Sequence, residues 1–233
     1  MIPRRIHQTS RTKLLTFEER QHRRRIRRIL PDWQLDLWDD ADNDRLVSEL
    51  FPGYYPAYSQ IKYGVAKSDI ARICYLLKYG GFYLDTDYKL LRPFGDDLLS
   101  RSCILPVSRS ENLLSPEFRV CNSILASEPG HPFWKQFIDF IFQESKIGDI
   151  SEENIEKITG PEGLTDCFLK YKGSFTDIYL PPRNDFHPPV IYKGLTWKRG
   201  LNSYGVHLCW GSWRSKGILK RMKSVVVRKI TCF

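Results

Sequence analysis

The chain has 233 residues, enough for one large domain with a sizeable core, and its 42% hydrophobic and 13% aromatic content is typical of a globular protein. Its net charge of +9 is uneven: residues 1–30 carry ten Lys and Arg against two acids, residues 186–233 carry ten against none, and residues 31–185 have a net charge of −9. This composition excludes a disordered tail, and the lack of a long apolar run or an apolar leader predicts a cytoplasmic protein that does not span a membrane.

The predicted elements alternate between strands and helices along the chain. The strand-like segments are "IPRRIHQ", "WQLDLW", "GFYLDTD", "CILPV", "DIYLPP" and "GVHLCWGSW", and the helical segments are "FEERQHRRRIRRIL", residues 63–79 and "HPFWKQFIDFIFQES". Gly80 and Gly81 are expected to end the helix over 63–79, and the acidic run at residues 39–44 is interpreted as a helix N-terminal cap. This order predicts an α/β fold, with a mostly parallel central sheet and a single domain over residues 1–233.

The cysteine spacing gives no sign of a disulfide framework or a zinc site. The cysteines are far apart and include no CxxC pair: Cys74, Cys103, Cys121, Cys167, Cys209 and Cys232. We therefore expect buried, reduced thiols rather than disulfides or a zinc site.

Two charged residues interrupt the helix predicted over residues 63–79. On a helical wheel Asp69 and Arg72 lie at the border of the apolar face, which predicts partial burial. Taken alone, they are typical of a local ion pair between residues three apart, worth about 0.2–0.5 kcal/mol.

A second pair of acids follows the next predicted strand. In an extended segment Asp85 and Asp87 point to the same side, so both carboxylates could address one hard divalent cation at the strand end, where open α/β sheets bind ligands. A bare D-x-D is weak, because a solvated turn is its usual meaning. With basic residues nearby, however, the pattern favours a cation that also binds a diphosphate ligand.

The order of the motifs is more specific than any one of them. The segments "IPRRIHQ", "LPDWQLDLWDD", "KSDIARICYLLKYGGFYLDTD", "TGPEGLT" and "HLCWGSW" together resemble the DXD sugar-transferase group, glycosyltransferase family 32, over residues 2–213. That family includes fungal initiating α-mannosyltransferases and bacterial capsule and lipopolysaccharide enzymes, with glucosylating toxins as distant relatives. The resemblance implies a GT-A fold, a metal-bound nucleotide sugar and transfer with retention at the anomeric carbon.

The resemblance also implies roles for the residues around the D-x-D motif. Asp87 would be the direct metal ligand, and Asp85 would hold the ribose or donor sugar and the water shell of the metal. Asp69 would accept hydrogen bonds from donor sugar hydroxyls, Arg72 would bind the sugar or diphosphate, and Tyr83 would line the diphosphate site.

Late-chain residues would complete the site by the same resemblance. His207 would be a further ligand of Mn²⁺ or Mg²⁺, and Ser212 and Trp213 would donate hydrogen bonds to the leaving phosphate. Asn122 would contact the donor sugar.

By the same resemblance, two further pairs of residues would lie near a substrate. His7 and Gln8 match positions beside the nucleotide base, although an ordinary polar strand end would give the same pattern. Gly160 and Pro161 are interpreted as shaping a loop near the acceptor.

These expectations describe a retaining transferase that moves a hexose or N-acetylhexosamine from a nucleotide sugar, with UDP as the first choice and GDP-mannose as the second. The acceptor would be a glycan or lipid-linked oligosaccharide in polysaccharide or lipopolysaccharide synthesis. The basic segments near residues 20–28 and 214–229 are expected to favour an anionic membrane surface. A metal-dependent phosphoesterase and a nucleic-acid-binding protein remain as alternatives, although the sequence has no pattern of a nucleic-acid-binding motif.

Overall fold

The computed structural model describes residues 1–145, 147–188, 191–193, 196–198 and 202–210. The helices in this part of the chain are α1 (Phe17–Ile29), α2 (Asp40–Leu50), α3 (Tyr55–Ser59), α4 (Gly64–Tyr79), α5 (Asp96–Leu99), α6 (Pro132–Asp139), α7 (Ile155–Ile158), α8 (Pro161–Tyr171) and α9 (Arg183–Phe186). A π-helical turn over Phe140–Glu144 continues α6. No helix among the described residues is long and apolar enough to cross a bilayer.

A six-stranded sheet forms the centre of the molecule. Its strands are β1 (Arg5–Thr9), β2 (Gln34–Trp38), β3 (Gly81–Leu84), β5 (Cys103–Ile104), β6 (Ile124–Ser127) and β7 (Ile178–Tyr179), in the order β2-β1-β3-β6-β5-β7. All of them run in one direction except β6, which is antiparallel to both of its neighbours. The predicted α/β fold with a mostly parallel sheet is therefore confirmed.

Two small antiparallel pairs stand outside this sheet. Strand β4 (Tyr88–Leu90) pairs with β10 (Gly205–His207), and β8 (Ile191–Lys193) pairs with β9 (Thr196–Lys198). In the first pair His207 lies opposite Tyr88, directly after the D-x-D motif. This pairing brings the late chain to the end of β3.

Side chains that alternate along β3 and β6 divide the core into two parts. Tyr83 and Leu125 face the larger cluster, which also takes in the buried faces of α2, α4, α6 and α8, whereas Phe82, Leu84 and Ile124 face the second cluster beside α1 and β4. Burial on both faces explains why these strands are almost wholly apolar.

Local signals explain where the main helices begin and end. Helix α1 starts with a capping box between Thr16 and Glu19, and α2 starts with one between Asp39 and Asp42, which confirms the predicted cap in the acidic run. Helix α4 ends at Gly80, whose φ of 62° an L side chain adopts only with strain.

Several elements differ from the sequence-based expectation. Strands β4 and β6 and helix α8 were not predicted, and Gly160 and Pro161 begin α8 as its N-cap and first residue instead of shaping a loop. The free cysteines Cys74, Cys103, Cys121 and Cys167 are buried as expected, but Cys209 is exposed. Cys232 lies outside the described residues.

His7 is packed inside the fold. It is fully buried, its ring stacks on Tyr75 with centroids 5.5 Å apart, Trp38 Nε1 donates to its Nδ1 at 3.1 Å, and its Nε2 lies 2.8 Å from the Gly80 carbonyl oxygen. Because Nδ1 accepts, Nε2 carries the proton and donates to Gly80. Burial is the main cause that lowers the pKa of His7 to about 4, with Arg5 acting in the same direction. The ring is therefore neutral at pH 7 and joins β1, β2 and the end of α4.

This burial predicts a pH dependence of stability. Between pH 6.5 and about 4 the unfolded chain binds a proton at His7 that the folded chain does not, so the free energy of unfolding should fall by about 3 kcal/mol on acidification through that window. Urea unfolding of His7→Gln should show a correspondingly smaller fall than wild type. If the variant does not fold, the ring signals of wild-type His7 in a nuclear magnetic resonance titration provide the check: a midpoint near pH 6.5 would contradict this account.

Candidate functional site

The D-x-D motif lies in a turn at the end of β3. Asp85 follows the strand and donates its backbone N–H to the Ser123 carbonyl oxygen at 2.8 Å, and the N–H of Tyr88 returns to the Asp85 carbonyl at 3.0 Å. The expected extended geometry of Asp85 and Asp87 is therefore wrong. Both carboxylates nevertheless lie close to one side chain, because the pairing of β4 with β10 places His207 beside them.

His207 connects the two carboxylates. Its Nε2 lies 3.1 Å from Asp87 Oδ1 and 3.6 Å from Asp85 Oδ2. One ligand atom from each of these residues lies within 4.8 Å of those of the others. Two carboxylate oxygens and an imidazole nitrogen form a donor set that fits Mn²⁺, and the oxygens also suit Mg²⁺.

Asp87 is held in its ionised form. Burial acts to raise its pKa, but the charge of His207, the hydrogen bond from His207 and one from the Trp210 backbone N–H at 2.8 Å outweigh burial and lower it. Asp87 correspondingly raises the pKa of His207 well above its usual range, against the effect of burial. The carboxylate and the ring therefore form an ion pair that stabilises the end of β10.

Arg72 lies between two of the acids. Its Nη2 is 2.9 Å from Asp69 Oδ1 and its Nη1 is 3.5 Å from Asp85 Oδ1, while Nη1 also donates to the Asn122 carbonyl oxygen at 2.5 Å. The guanidinium carbon is 4.5 Å from the centre of the Tyr83 ring. Arg72 and Asp69 are only 5% and 3% exposed, so they are more buried than the helical wheel predicted.

Asp69 accepts hydrogen bonds from other parts of the chain. Asn122 Nδ2 donates to its Oδ1 and Thr159 Oγ1 donates to its Oδ2, each at 3.0 Å. Burial raises its pKa to about 7, with Arg72 acting in the opposite direction. Sequence reasoning gave Thr159 no role, although it is the first residue of the quoted "TGPEGLT" segment.

Tyr83 and Gln8 both contact Asp85 of the D-x-D motif. The Tyr83 hydroxyl donates to Asp85 Oδ1 at 2.6 Å, and Gln8 Nε2 lies 3.5 Å from the Asp85 carbonyl oxygen. Arg23, which sequence reasoning did not single out, donates to Gln8 Oε1 at 3.1 Å. Both nitrogens of His7 already have protein partners. Ser212, Trp213 and the basic segment 214–229 lie outside the described residues.

Comparisons with known proteins show what the chain is similar to. Residues 16–105 match the family described as a glycosyltransferase sugar-binding region containing a DXD motif. Over these residues the chain is similar to the DXD glycosyltransferases of the family 32 type.

Two curated fungal proteins are similar to it. The mannosyl phosphorylinositol ceramide synthase SUR1 of Saccharomyces cerevisiae is 28% identical over 172 residues, which cover 74% of this chain and 43% of that protein. An initiation-specific alpha-1,6-mannosyltransferase of Candida albicans is 21% identical, over 81% of this chain and 65% of that protein. The chain thus spans less than half of the first relative.

Solved structures identify the fold. The PaToxG glycosyltransferase aligns with a TM-score of 0.55 at 18% identity, over 74% of this chain and 70% of its own. The UDP-bound glycosyltransferase domain of the YGT toxin aligns with a TM-score of 0.54 at 10% identity, over 77% and 79%. The fold of this chain is GT-A, as the resemblance implied.

Because Arg72 lies between two carboxylates, we expect its replacement to lower the free energy of unfolding. Arg72→Met would leave the buried Asp69 without its paired cation and would remove one of the two cationic groups beside the half-buried Asp85, and we expect a loss of about 3–5 kcal/mol in the free energy of unfolding. The measurement is urea unfolding at pH 8, where Asp69 is largely ionised in the folded chain.

A matched control is Arg45→Met, which removes an arginine whose ion pair with Asp42 is exposed on the arginine side and should cost less than about 1 kcal/mol. Adding Asp69→Asn to Arg72→Met should restore part of the loss, since one uncompensated charge is removed. Equal losses for the two arginine variants would show that Arg72 does not compensate these acids.

Proposed function

We propose that this protein is a metal-dependent glycosyltransferase that uses a nucleotide sugar and retains the anomeric configuration. The observation that supports the proposal most directly is that Asp85, Asp87 and His207 lie together at the end of β3, with Arg72 Nη1 3.5 Å from Asp85 Oδ1. The family match over residues 16–105 and the GT-A fold support the same reaction class. A divalent cation held by these three residues would neutralise charge on the diphosphate of the donor.

The chain's own residues would bind and orient the donor. Arg72 supplies a permanent positive charge beside the carboxylates, and Tyr83 fixes Asp85 by its hydrogen bond. Asn122 is half-buried and so retains surface for a sugar hydroxyl. Asp69 would accept from such a hydroxyl only in place of Asn122 or Thr159, its present donors.

The surroundings of Asp69 favour substitution on one face of the sugar. A nucleophilic carboxylate needs a free lone pair, whereas Asp69 is paired with Arg72, accepts two further hydrogen bonds and is buried. We therefore propose that the acceptor hydroxyl attacks the anomeric carbon from the leaving-group side. The bond to the diphosphate oxygen breaks, and that oxygen takes the proton of the acceptor.

Mannose is the sugar that the sequence relatives favour. The names of SUR1 and of the Candida albicans enzyme describe mannosyl transfer, whereas the YGT toxin domain is a UDP complex at far lower identity. We thus propose GDP-mannose ahead of the UDP sugar that the sequence analysis preferred. Both donors bring the same diphosphate to the same carboxylates.

The donor assignment and the metal site can be tested together. With Mn²⁺ present, GDP-mannose should raise the melting temperature of the wild-type protein more than UDP-glucose or UDP-N-acetylglucosamine, since a ligand of the folded state stabilises it by mass action. Asp87→Asn should abolish sugar transfer and the Mn²⁺-dependent shift while remaining folded.

The control is Asp96→Asn, which changes an exposed carboxylate on α5 in the same way. It should behave as wild type. Wild-type turnover by a folded Asp87→Asn protein would refute the metal assignment, and a larger shift with a UDP sugar would restore the original donor preference.

One face of α1 suggests where the acceptor lies. Arg24, Arg27 and Arg28 are exposed on the side away from the buried His22 and Ile26. The apolar side chains just before and at the start of the helix are also exposed, Leu14 by 90% and Phe17 by 54%. We name Leu14, Phe17, Arg24, Arg27 and Arg28 the α1 surface.

The α1 surface is close to the D-x-D turn. Thr86, between the two acids of the motif, donates its hydroxyl to Glu19 Oε1 in the first turn of α1 at 2.9 Å. Arginines beside exposed apolar side chains complement an anionic lipid surface, where each basic residue contributes about 1 kcal/mol. We propose that this surface holds the enzyme on a membrane that carries the acceptor.

Sedimentation with vesicles tests this attachment. The protein should sediment with vesicles containing phosphatidylserine but not with phosphatidylcholine alone, and moderate salt should release it. Replacing Arg24, Arg27 and Arg28 by Gln should reduce binding.

A control with the same charge change replaces the exposed Lys157, Lys170 and Lys172 by Gln and should bind as wild type. Equal binding by both triple variants would exclude the α1 surface. The basic residues Lys216, Lys220, Arg221 and Lys223, which the sequence also suggests for this role, lie outside the described residues and can be replaced in a third variant.

A further inference from the structure

A second group of potential metal ligands lies on the other side of His207. One ligand atom from each of His187, His207 and Cys209 lies within 4.8 Å of those of the other two. His187 follows α9, His207 ends β10, and Cys209 comes two residues later. A backbone hydrogen bond from the Tyr204 N–H to the Asp185 carbonyl oxygen, at 2.6 Å, joins these two segments.

The two nitrogens of His207 face different surroundings. Nε2 lies 3.1 Å from Asp87 Oδ1, in the oxygen-rich site, whereas Nδ1 lies 3.3 Å from Cys209 Sγ. The His187 ring packs edge-on against the His207 ring, with centroids 5.9 Å apart. One imidazole therefore separates a hard, carboxylate-lined site from a softer cluster of nitrogen and sulfur.

Sulfur and imidazole ligands select a different ion from the carboxylates. A thiolate with two imidazoles is a ligand set for Zn²⁺, in which three protein ligands leave a fourth position for water. Cys209 is exposed, so an ion can reach its sulfur from solvent.

We propose that His187, His207 and Cys209 form a Zn²⁺ site distinct from the Asp85–Asp87 site. Binding requires Cys209 as the thiolate and His207 as the neutral imidazole, so the thiol proton of Cys209 and the Nδ1 proton of the His207 imidazolium both pass to solvent when the sulfur–zinc and nitrogen–zinc bonds form. His207 contributes Nδ1, and His187 contributes its imidazole nitrogen.

A consequence follows for the carboxylate site, and it depends on the proposed function above. A neutral imidazole that binds zinc through Nδ1 keeps its proton on Nε2. That N–H donates to Asp87, as in the described geometry, and has no lone pair for a second cation. Zn²⁺ at the cluster therefore weakens Mn²⁺ binding at Asp85 and Asp87, which makes the cluster an inhibitory site.

Cobalt absorption tests the cluster itself, without any donor or activity measurement. Co²⁺ alone should give the intense near-ultraviolet band of a thiolate–cobalt bond in the wild-type protein, and Zn²⁺ should abolish it by displacement. Cys209→Ser should lose the band, and His187→Gln should weaken Co²⁺ binding by about 10-fold or more.

Cys167→Ala is the matched control, since it removes a buried thiol on α8 outside the cluster and should keep the band. Circular dichroism checks that each variant is folded. Absence of the band in wild type, or its persistence in Cys209→Ser, would overturn the proposal.

The coupling needs a second titration. Free Mn²⁺, followed by electron paramagnetic resonance, should show weaker binding when one equivalent of Zn²⁺ is present in the wild-type protein, and much less weakening in Cys209→Ser. Equal weakening in both proteins would mean that zinc competes at the carboxylates, which would refute the inhibitory link. If the cobalt band appears but Mn²⁺ does not bind at all, the proposed function fails and the zinc site stands.

Discussion

The site depends on how the charges of the buried Asp69 and of the half-buried Asp85 and Asp87 are compensated. Asp69, Asp85 and Asp87 come from α4 and from the turn after β3, and the two cationic groups in contact with them among the described residues are Arg72 and His207. Buried carboxylates without cations would cost several kcal/mol each, so the positions of Arg72 and His207 are requirements of the fold as well as of the chemistry. A divalent cation would take over the compensation of Asp85 and Asp87 from the protonated His207, which can bind a metal only as the neutral imidazole.

The fold supplies the two cations from distant parts of the sequence. Arg72 is fixed within α4 and faces the end of β3, whereas His207 arrives 120 residues after Asp87 through the pairing of β10 with β4. The Trp210 N–H then binds the second oxygen of Asp87. The late chain therefore places His207 beside Asp85 and Asp87 and also places Cys209 and His187 next to His207. For this reason His207 is a member of both groups of potential metal ligands.

Much of the fold could be predicted because its signals are local. Helical periodicity, the cap at Asp39 and the glycines after α4 are readable in short windows, and the motif order gave the family resemblance. The convergence of His207 on Asp87 could be expected only from the resemblance, since no spacing rule connects residues 87 and 207. Thr159, the antiparallel β6 and the His187–Cys209 contact were missed for the same reason: they arise from long-range packing. The burial of His7 was not predicted either, because a polar strand end gives no sign of what covers it.

The central claim is that Asp85, Asp87 and His207 hold a divalent cation that binds a diphosphate. The most direct measurement is the Mn²⁺ affinity, from the electron paramagnetic resonance signal of free Mn²⁺, with and without GDP. The account predicts that GDP strengthens Mn²⁺ binding to the wild-type protein and that Asp85→Asn, Asp87→Asn and His207→Asn each weaken the ternary complex while remaining folded. Wild-type affinity in all three folded variants would contradict it.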